Sequence, residues 1–302
     1  MKKLLISILA LICVGLHAQN AAITSGNNLV VSDGKMVVYD LTDTIANFGT
    51  STQSGAIDQI TTIFNITPGY NVYVDWNDGD GGHLIVADGT DKSMTSNFTV
   101  SDTTYHIYVY GDLEGFTKIY INAEATYDSL FSSEFSGMSL TYFGLYNSGT
   151  NHEINSSDFA GMPLAYFGLY NSGTNNEINP SDFAGMPLTY FWLNNSGTNH
   201  AGQISYFATG LNTLYIGNSG TGISITSGTM KTWANCNITL KGYTGGAGGD
   251  CDAFLIAYAA TAGAGVKTID LSNAARTSAS DAAVTTLIGL GKTIKTLGLT
   301  EP

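Results

Sequence analysis

The side chains in this chain that could do chemistry are few, and most sit in turn-like contexts. Asp75, Asn77, Asp78 and Asp80 are oxygen ligands of the kind Ca²⁺ takes. Their spacing is not that of an EF-hand, because the glycine is misplaced and no bidentate Glu follows, so Asx turns in a tight hairpin are the better reading. Residues 244–250, TGGAGGD, precede a helical segment as a phosphate cradle would, but they lack Gly-Lys-Ser/Thr and a preceding βαβ unit. His152 and His200 are equivalent positions two sequence repeats apart, with Asn176 between. At about 4.8 Å per stacked strand they lie about 10 Å apart, too far to share a metal, and they read as exposed turn residues. Asp158 and Asp182 fall on successive repeats and could in principle flank a glycosidic bond. Their contexts, Ser-Ser-Asp-Phe and Pro-Ser-Asp-Phe, are instead those of a turn or helix N-cap. Neither Gly-x-Ser-x-Gly nor His-Glu-x-x-His occurs. The chain reads as a non-enzyme with no cofactor and no metal.

The elements that would position any site are legible from repetition. Phe135 opens FSGMSLTYFGLYNSGTNHEINSSD, Phe159 opens FAGMPLAYFGLYNSGTNNEINPSD, and Phe183 opens FAGMPLTYFWLNNSGTNHAGQISY. Phe207 opens a more divergent copy, Phe116 with Ile119-Tyr120-Ile121 forms a worn first one, and Ile238-Thr239-Leu240 reads as a last strand. A 24-residue unit cannot enclose a core alone, so neighbouring copies must stack. Alternation along each strand turns Phe143 and Leu145 inward and Tyr142, Gly144 and Tyr146 outward. Asn147, Asn171, Asn195 and Asn218 recur just past the strands and are placed to form a side-chain ladder there.

The same alternation lines up outward-facing columns. One holds Tyr142, Tyr166, Tyr190 and Thr213; the second holds Gly144, Gly168, Trp192 and Tyr215; the third holds Tyr146, Tyr170, Asn194 and Gly217. Tyrosine and tryptophan anchor interfaces and stack on sugars, and an exposed aromatic patch of this extent implies a partner. Tyr142, Tyr146, Tyr166, Tyr170, Tyr190, Trp192 and Tyr215 are therefore the candidate ligand-binding residues. The alternative is that the rings only pair along the ladder.

The spacing F-x-G-M-x-L-x-x-F-x-L-x-N-S over residues 135–206 resembles BspA-like leucine-rich repeats, with Met138, Met162 and Met186 where that family commonly has cysteine. The resemblance implies a secreted or surface protein that adheres to host proteins, other cells or extracellular matrix. Upstream, apolar runs at 36–39, 60–66, 70–76, 84–86 and 105–110 alternate with turn residues, as in an antiparallel sandwich. Within them YNVYVDWNDGDGG, carried by Asp75, Trp76, Asn77, Asp78 and Gly79, resembles the turn of PKD-type immunoglobulin-like domains. Downstream, residues 252–262 and 280–290 read as short helices, and 266–271 and 293–297 as strands, which together suit the cap an open-ended repeat array needs.

The N-terminus reads as a cleaved signal peptide: Lys2 and Lys3, an uncharged apolar run, then Leu16-His17-Ala18. Removing Lys2 and Lys3 takes 11 basic residues to 9 against 24 acidic ones, a formal charge of −15. Such a chain is a poor partner for nucleic acid or anionic lipid. Cys236 and Cys251 would remain, compatible with one disulfide or with two buried free thiols. The expected fold is mainly β with minor α. It comprises a signal peptide (1–18), a PKD/immunoglobulin-like β-sandwich (19–115), a leucine-rich-repeat solenoid (116–241) and an α/β C-terminal solenoid cap (242–302). The expected role is that of an exported adhesin-like protein, secreted or at the cell surface. It would recognise a host or neighbouring-cell surface protein or glycan through a concave aromatic face, without inserting into a membrane. The alternative role is a surface-layer or matrix component that self-associates.

Overall fold

The computed structural model describes residues 28–32, 35–39, 45–52, 58–75, 82–98, 104–123, 127–129, 132–135, 138–146, 154–171, 176–195, 200, 202–207, 210–217, 223–224, 233, 236–241, 249–272, 274–297 and 299–301. The protein is mainly β with few helices, and its dominant feature is one 11-stranded mixed sheet. In chain order its strands are β1 (Asp58–Ile66), β2 (Lys92–Phe98), β3 (Phe116–Ala123), β4 (Tyr142–Tyr146), β5 (Tyr166–Tyr170), β6 (Tyr190–Asn194), β7 (Thr213–Gly217), β8 (Asn237–Lys241), β9 (Lys267–Leu271), β10 (Lys292–Thr296) and β11 (Leu299–Glu301). They lie side by side in that order, except that β1 and β2 exchange places so that β2 forms one edge. From β3 to β10 every pairing is parallel.

The sequence period sets this register. Lys118, Tyr142, Tyr166 and Tyr190, each 24 residues after the last, are direct partners on β3 to β6. The copy opening at Phe207 is one residue short, and Thr213 still meets Tyr190. Phe143, Leu145, Phe167, Leu169, Phe191 and Leu193 are fully buried, as alternation requires. After β4 and β5 the chain returns through a short 3₁₀ turn that carries the opening phenylalanine of the next copy inward. Rings from strands and turns then interleave, Phe143 to Phe159 at 4.8 Å, Phe159 to Phe167 at 5.4 Å, Phe167 to Phe183 at 4.8 Å and Phe183 to Phe191 at 5.4 Å. This aromatic spine is the core that no single copy could enclose.

The parallel sheet does not stop at β8, where the repeat fades from the sequence. Helix α1 (Gly249–Ala259) and helix α2 (Asp281–Gly289) take the place of the 3₁₀ turns, and β9 and β10 extend the sheet in parallel. Phe254, Leu255, Tyr258, Val284 and Leu287 belong to the same buried core as the phenylalanine spine.

At the other end β3 pairs on both sides, parallel to β4 and antiparallel to β1. A second, five-stranded antiparallel sheet comprises Ile45–Thr52, Val72–Asp75, Gly82–Ile85, Thr104–Gly111 and Tyr127–Ser129. Val72, Val74 and Val109 from it share the core with Phe64 and Ile66 of β1. Gly111, at φ +112°, is obligatory there, because a β-carbon would lie 2.2 Å from the Asn71 carbonyl oxygen. The strands at 45–52 and 92–98 have no counterpart in the sequence reading. Their sequences, IANFGTST and KSMTSNF, are too polar to show a hydrophobic alternation.

Candidate functional site

Five neighbouring strands build the outward face. The register places Lys118, Tyr142, Tyr166, Tyr190 and Thr213 in one column, and Tyr120, Gly144, Gly168, Trp192 and Tyr215 in the next. Asn122, Tyr146, Tyr170, Asn194 and Gly217 form the third. All seven candidate aromatics are half-buried, so the face is less open than outward orientation alone suggests.

The reason is that the rings use one another. Tyr142 stacks on Tyr166 at 4.0 Å and 6°, and Tyr166 on Tyr190 at 4.4 Å and 8°. Trp192 stacks on Tyr215 at 3.8 Å and 5°, and lies within 2° of the Tyr190 plane at 5.9 Å. Tyr146 sits 5.1 Å from Tyr120 and 6.0 Å from Tyr170. Lys118 covers the outer end of the first column, its Nζ 4.7 Å from the Tyr142 ring centre. The glycines make this packing fit. A β-carbon on Gly144 would lie 3.1–3.2 Å from the rings of Tyr120, Tyr142 and Tyr146, and one on Gly168 would lie 3.0–3.1 Å from Tyr166 and the Tyr146 hydroxyl. Tyr146 and Tyr166 are hydrogen-bonded hydroxyl to hydroxyl.

Between the columns remains a depression of about 290 Å³, lined by Tyr120, Asn122, Tyr146, Tyr170, Tyr190 and Trp192. It carries no ionised side chain. Burial pushes the Tyr142, Tyr146, Tyr166 and Tyr190 phenols above their ordinary range, and for Tyr166 the hydrogen bond to Tyr146 adds to it. These hydroxyls are therefore neutral donors and acceptors at any physiological pH. The Trp192 Nε1 is buried and has no hydrogen-bond partner among the described residues. Four of the seven sequence candidates, Tyr146, Tyr170, Tyr190 and Trp192, come together at the depression. Tyr142, Tyr166 and Tyr215 serve as stacking support. Tyr120 and Asn122 lie outside the sequence candidates, although carrying the columns back one copy to Ile119-Tyr120-Ile121 points to them.

Elsewhere the structure departs from what the sequence suggests. His200 is 2 % exposed rather than an exposed turn residue, and Asn176 is fully buried. Each faces inward to serve the backbone of the preceding copy: Asn176 Oδ1 accepts from Ile154 N at 3.1 Å and His200 Nδ1 from Ile178 N at 3.2 Å. The helix-cap role falls to Asn155 and Asn179, whose side chains accept from Ser157 N and Ser181 N. Asp158 and Asp182 instead accept from Ser132 Oγ and Ser156 Oγ of the preceding copy, both at 2.6 Å. The expected asparagine ladder is present between Asn195 and Asn171 at 2.9 Å; Asn147 and Asn218 lie outside the described residues.

Cys236 and Cys251, the disulfide candidates, are two buried free thiols. Burial pushes Cys236 up to about 12 and Cys251 up to about 11, so both are inert as nucleophiles. Among the described residues no group of His, Cys, Asp and Glu is arranged to hold a metal. No helix among them is long and apolar enough to cross a membrane. His152, the loop 244–248 and, apart from Asp75, the acidic turn fall outside the described residues, as does the N-terminal 1–27. In comparison with known proteins, no family model, curated protein or solved structure matches this chain.

Proposed function

We propose that this is an exported, non-enzymatic, adhesin-like binding protein that recognises a protein or glycan of a host or neighbouring cell through the aromatic strand face. On this reading residues 116–241 are a leucine-rich-repeat solenoid of the BspA-like kind. A PKD/immunoglobulin-like sandwich precedes it and the α/β segment from 242 caps it. The observation that carries the proposal is the uncharged depression at Tyr120, Asn122, Tyr146, Tyr170, Tyr190 and Trp192. It is a concave aromatic site of the type that accepts ligands.

The test is a screen of the purified protein against glycan and extracellular-protein arrays, beside a Tyr146→Ala/Tyr170→Ala/Trp192→Ala variant. Selective binding that disappears in a variant with unchanged circular dichroism supports the site. Equal behaviour of the two proteins removes it. A second reading, a surface-layer or matrix component, is favoured by one observation: the rings spend much of their faces on each other, from Tyr142 through Tyr190. Concentration-dependent assembly in sedimentation, with no array binding, would select it.

A further inference from the structure

Trp192 lines the depression and has one face taken. Tyr215 covers it from β7. On the β5 side its direct partner is Gly168, which has no ring to offer. Tyr190 and Trp192 lie parallel with ring centres 5.9 Å apart, and Tyr166 stacks on Tyr190. Both Tyr190 and Trp192 border the depression. The column that holds Trp192 thus has glycine in place of a ring at Gly168, where the Tyr146 and Tyr166 side chains close in, and the depression opens among Trp192, Tyr146 and Asn122.

The chemistry around that gap is specific. Its walls are aromatic, its polar groups are phenol hydroxyls and one carboxamide, and no Asp, Glu, Lys, Arg or His lines it. The nearest cation in these columns, Lys118, is already paired with Asp91. The protein as a whole carries a formal charge of −13, which repels anions. A volume of about 290 Å³ is just below the roughly 300–1,000 Å³ of ligand pockets, which suits one ring rather than a long segment. An extended peptide would also bring backbone groups that pair with a free strand edge, and the depression lies on the face of the sheet, among strands paired on both sides.

We propose that the depression is a subsite for one ring of a neutral, hydroxyl-rich saccharide, its apolar face on Trp192 and its hydroxyl edge toward Asn122 and Tyr146. This rests on the binding role proposed above and narrows its ligand to a neutral glycan. A pyranose has the required shape, with C–H groups on one face and hydroxyls at the rim, and it brings no charge.

The experiment titrates the purified protein with neutral oligosaccharides of glucose, galactose, mannose and N-acetylhexosamines. Sialylated and sulfated counterparts and an extracellular-protein array run in parallel. Binding is read both on the array and by tryptophan fluorescence. Neutral glycans are expected to bind. Trp192→Ala should weaken them about ten- to hundredfold, as loss of a stacking platform does, and Trp192→Phe should restore most of the affinity. Ile256→Ser, at an exposed apolar position on α1, should change nothing. If Trp192→Ala does not fold, Trp192→Leu keeps the bulk, removes the ring face and should show the same loss. Binding only of acidic glycans, or only of proteins, overturns the saccharide subsite and leaves the binding role standing. Neutral-glycan binding indifferent to Trp192 also overturns it. No binding to any array removes both.

Discussion

Ser156→Ala isolates the polar ladder that joins successive copies on the side away from the aromatic face. Ser156 is 1 % exposed. Its Oγ accepts from Asn179 N at 2.8 Å and donates to Asp182 Oδ2 at 2.6 Å, so one hydroxyl serves two groups of the next copy. Alanine fits the same space and removes both bonds. Leaving the Asn179 N–H short of an acceptor costs about 1–3 kcal/mol, and a hydrogen bond to a carboxylate contributes about 1.5–3 kcal/mol. Asp182 is partly exposed, so water recovers part of its loss, and the net cost is about 2–3 kcal/mol. For a chain of this size that lowers the melting temperature by about 3–5 °C. Ser132 is an internal control, since its Oγ accepts from Asn155 N at 2.7 Å and donates to Asp158 at 2.6 Å. Ser132→Ala should match Ser156→Ala within about 0.5 kcal/mol in urea unfolding. In a double-mutant cycle, Ser156→Ala and Asp182→Asn should couple by about 0.5–3 kcal/mol. A Ser156→Ala loss below about 0.5 kcal/mol, or strict additivity in the cycle, would refute the reasoning, because such values belong to surface positions without such a bond.

Two pH predictions follow from buried groups. The Tyr142, Tyr146, Tyr166 and Tyr190 phenols are raised in the folded protein. Their contribution to stability is therefore complete below the ordinary tyrosine value of about 10 and is lost as pH rises through the folded values. Absorbance titration near pH 11 should show less tyrosinate in the folded protein than in the urea-unfolded chain, and identical curves would count against the stacked columns. Burial by itself would raise the Asp252 carboxyl, but hydrogen bonds from Ser280 and Thr277 outweigh it and hold it below the usual range. Its stabilisation is present above the ordinary carboxylate value and is lost as pH falls through the folded one. Asp252→Asn should thus lower the melting temperature at pH 7 and have a smaller effect near pH 3, and an equal effect at both would be the damaging result.

The repeat made much of the central structure readable before any coordinate. Identical residues at a fixed step must occupy identical places in a stack, so Phe143 and Leu145 inward, Tyr142 and Tyr146 outward, and Phe159 closing the core follow from period and alternation alone. The C-terminal helices were legible for a related reason, since Phe254, Leu255 and Tyr258 recur at helical spacing. The polar strands at 45–52 and 92–98 were not, because their pairing is determined by neighbouring strands rather than by their own side chains.

What tertiary structure alone decided concerns relations between copies. A sequence column shows that Tyr142, Tyr166 and Tyr190 lie on one face; it does not show that their rings turn edge-up and stack, which the strand spacing and the bare glycines beside them impose. The same holds for His200 and Asn176, whose turn-like contexts suggested exposure. Backbone N–H groups of the preceding copy would otherwise be buried without acceptors, and these side chains turn inward to supply them. Trp192 shows the division most clearly. The sequence marks it as the residue replacing glycine in its column, and the sheet determines that one face meets Tyr215 and that the ring borders an uncharged depression. Residue type and periodicity establish which way a side chain leaves its own strand. Only the packing of adjacent strands determines how much of it remains available to a partner.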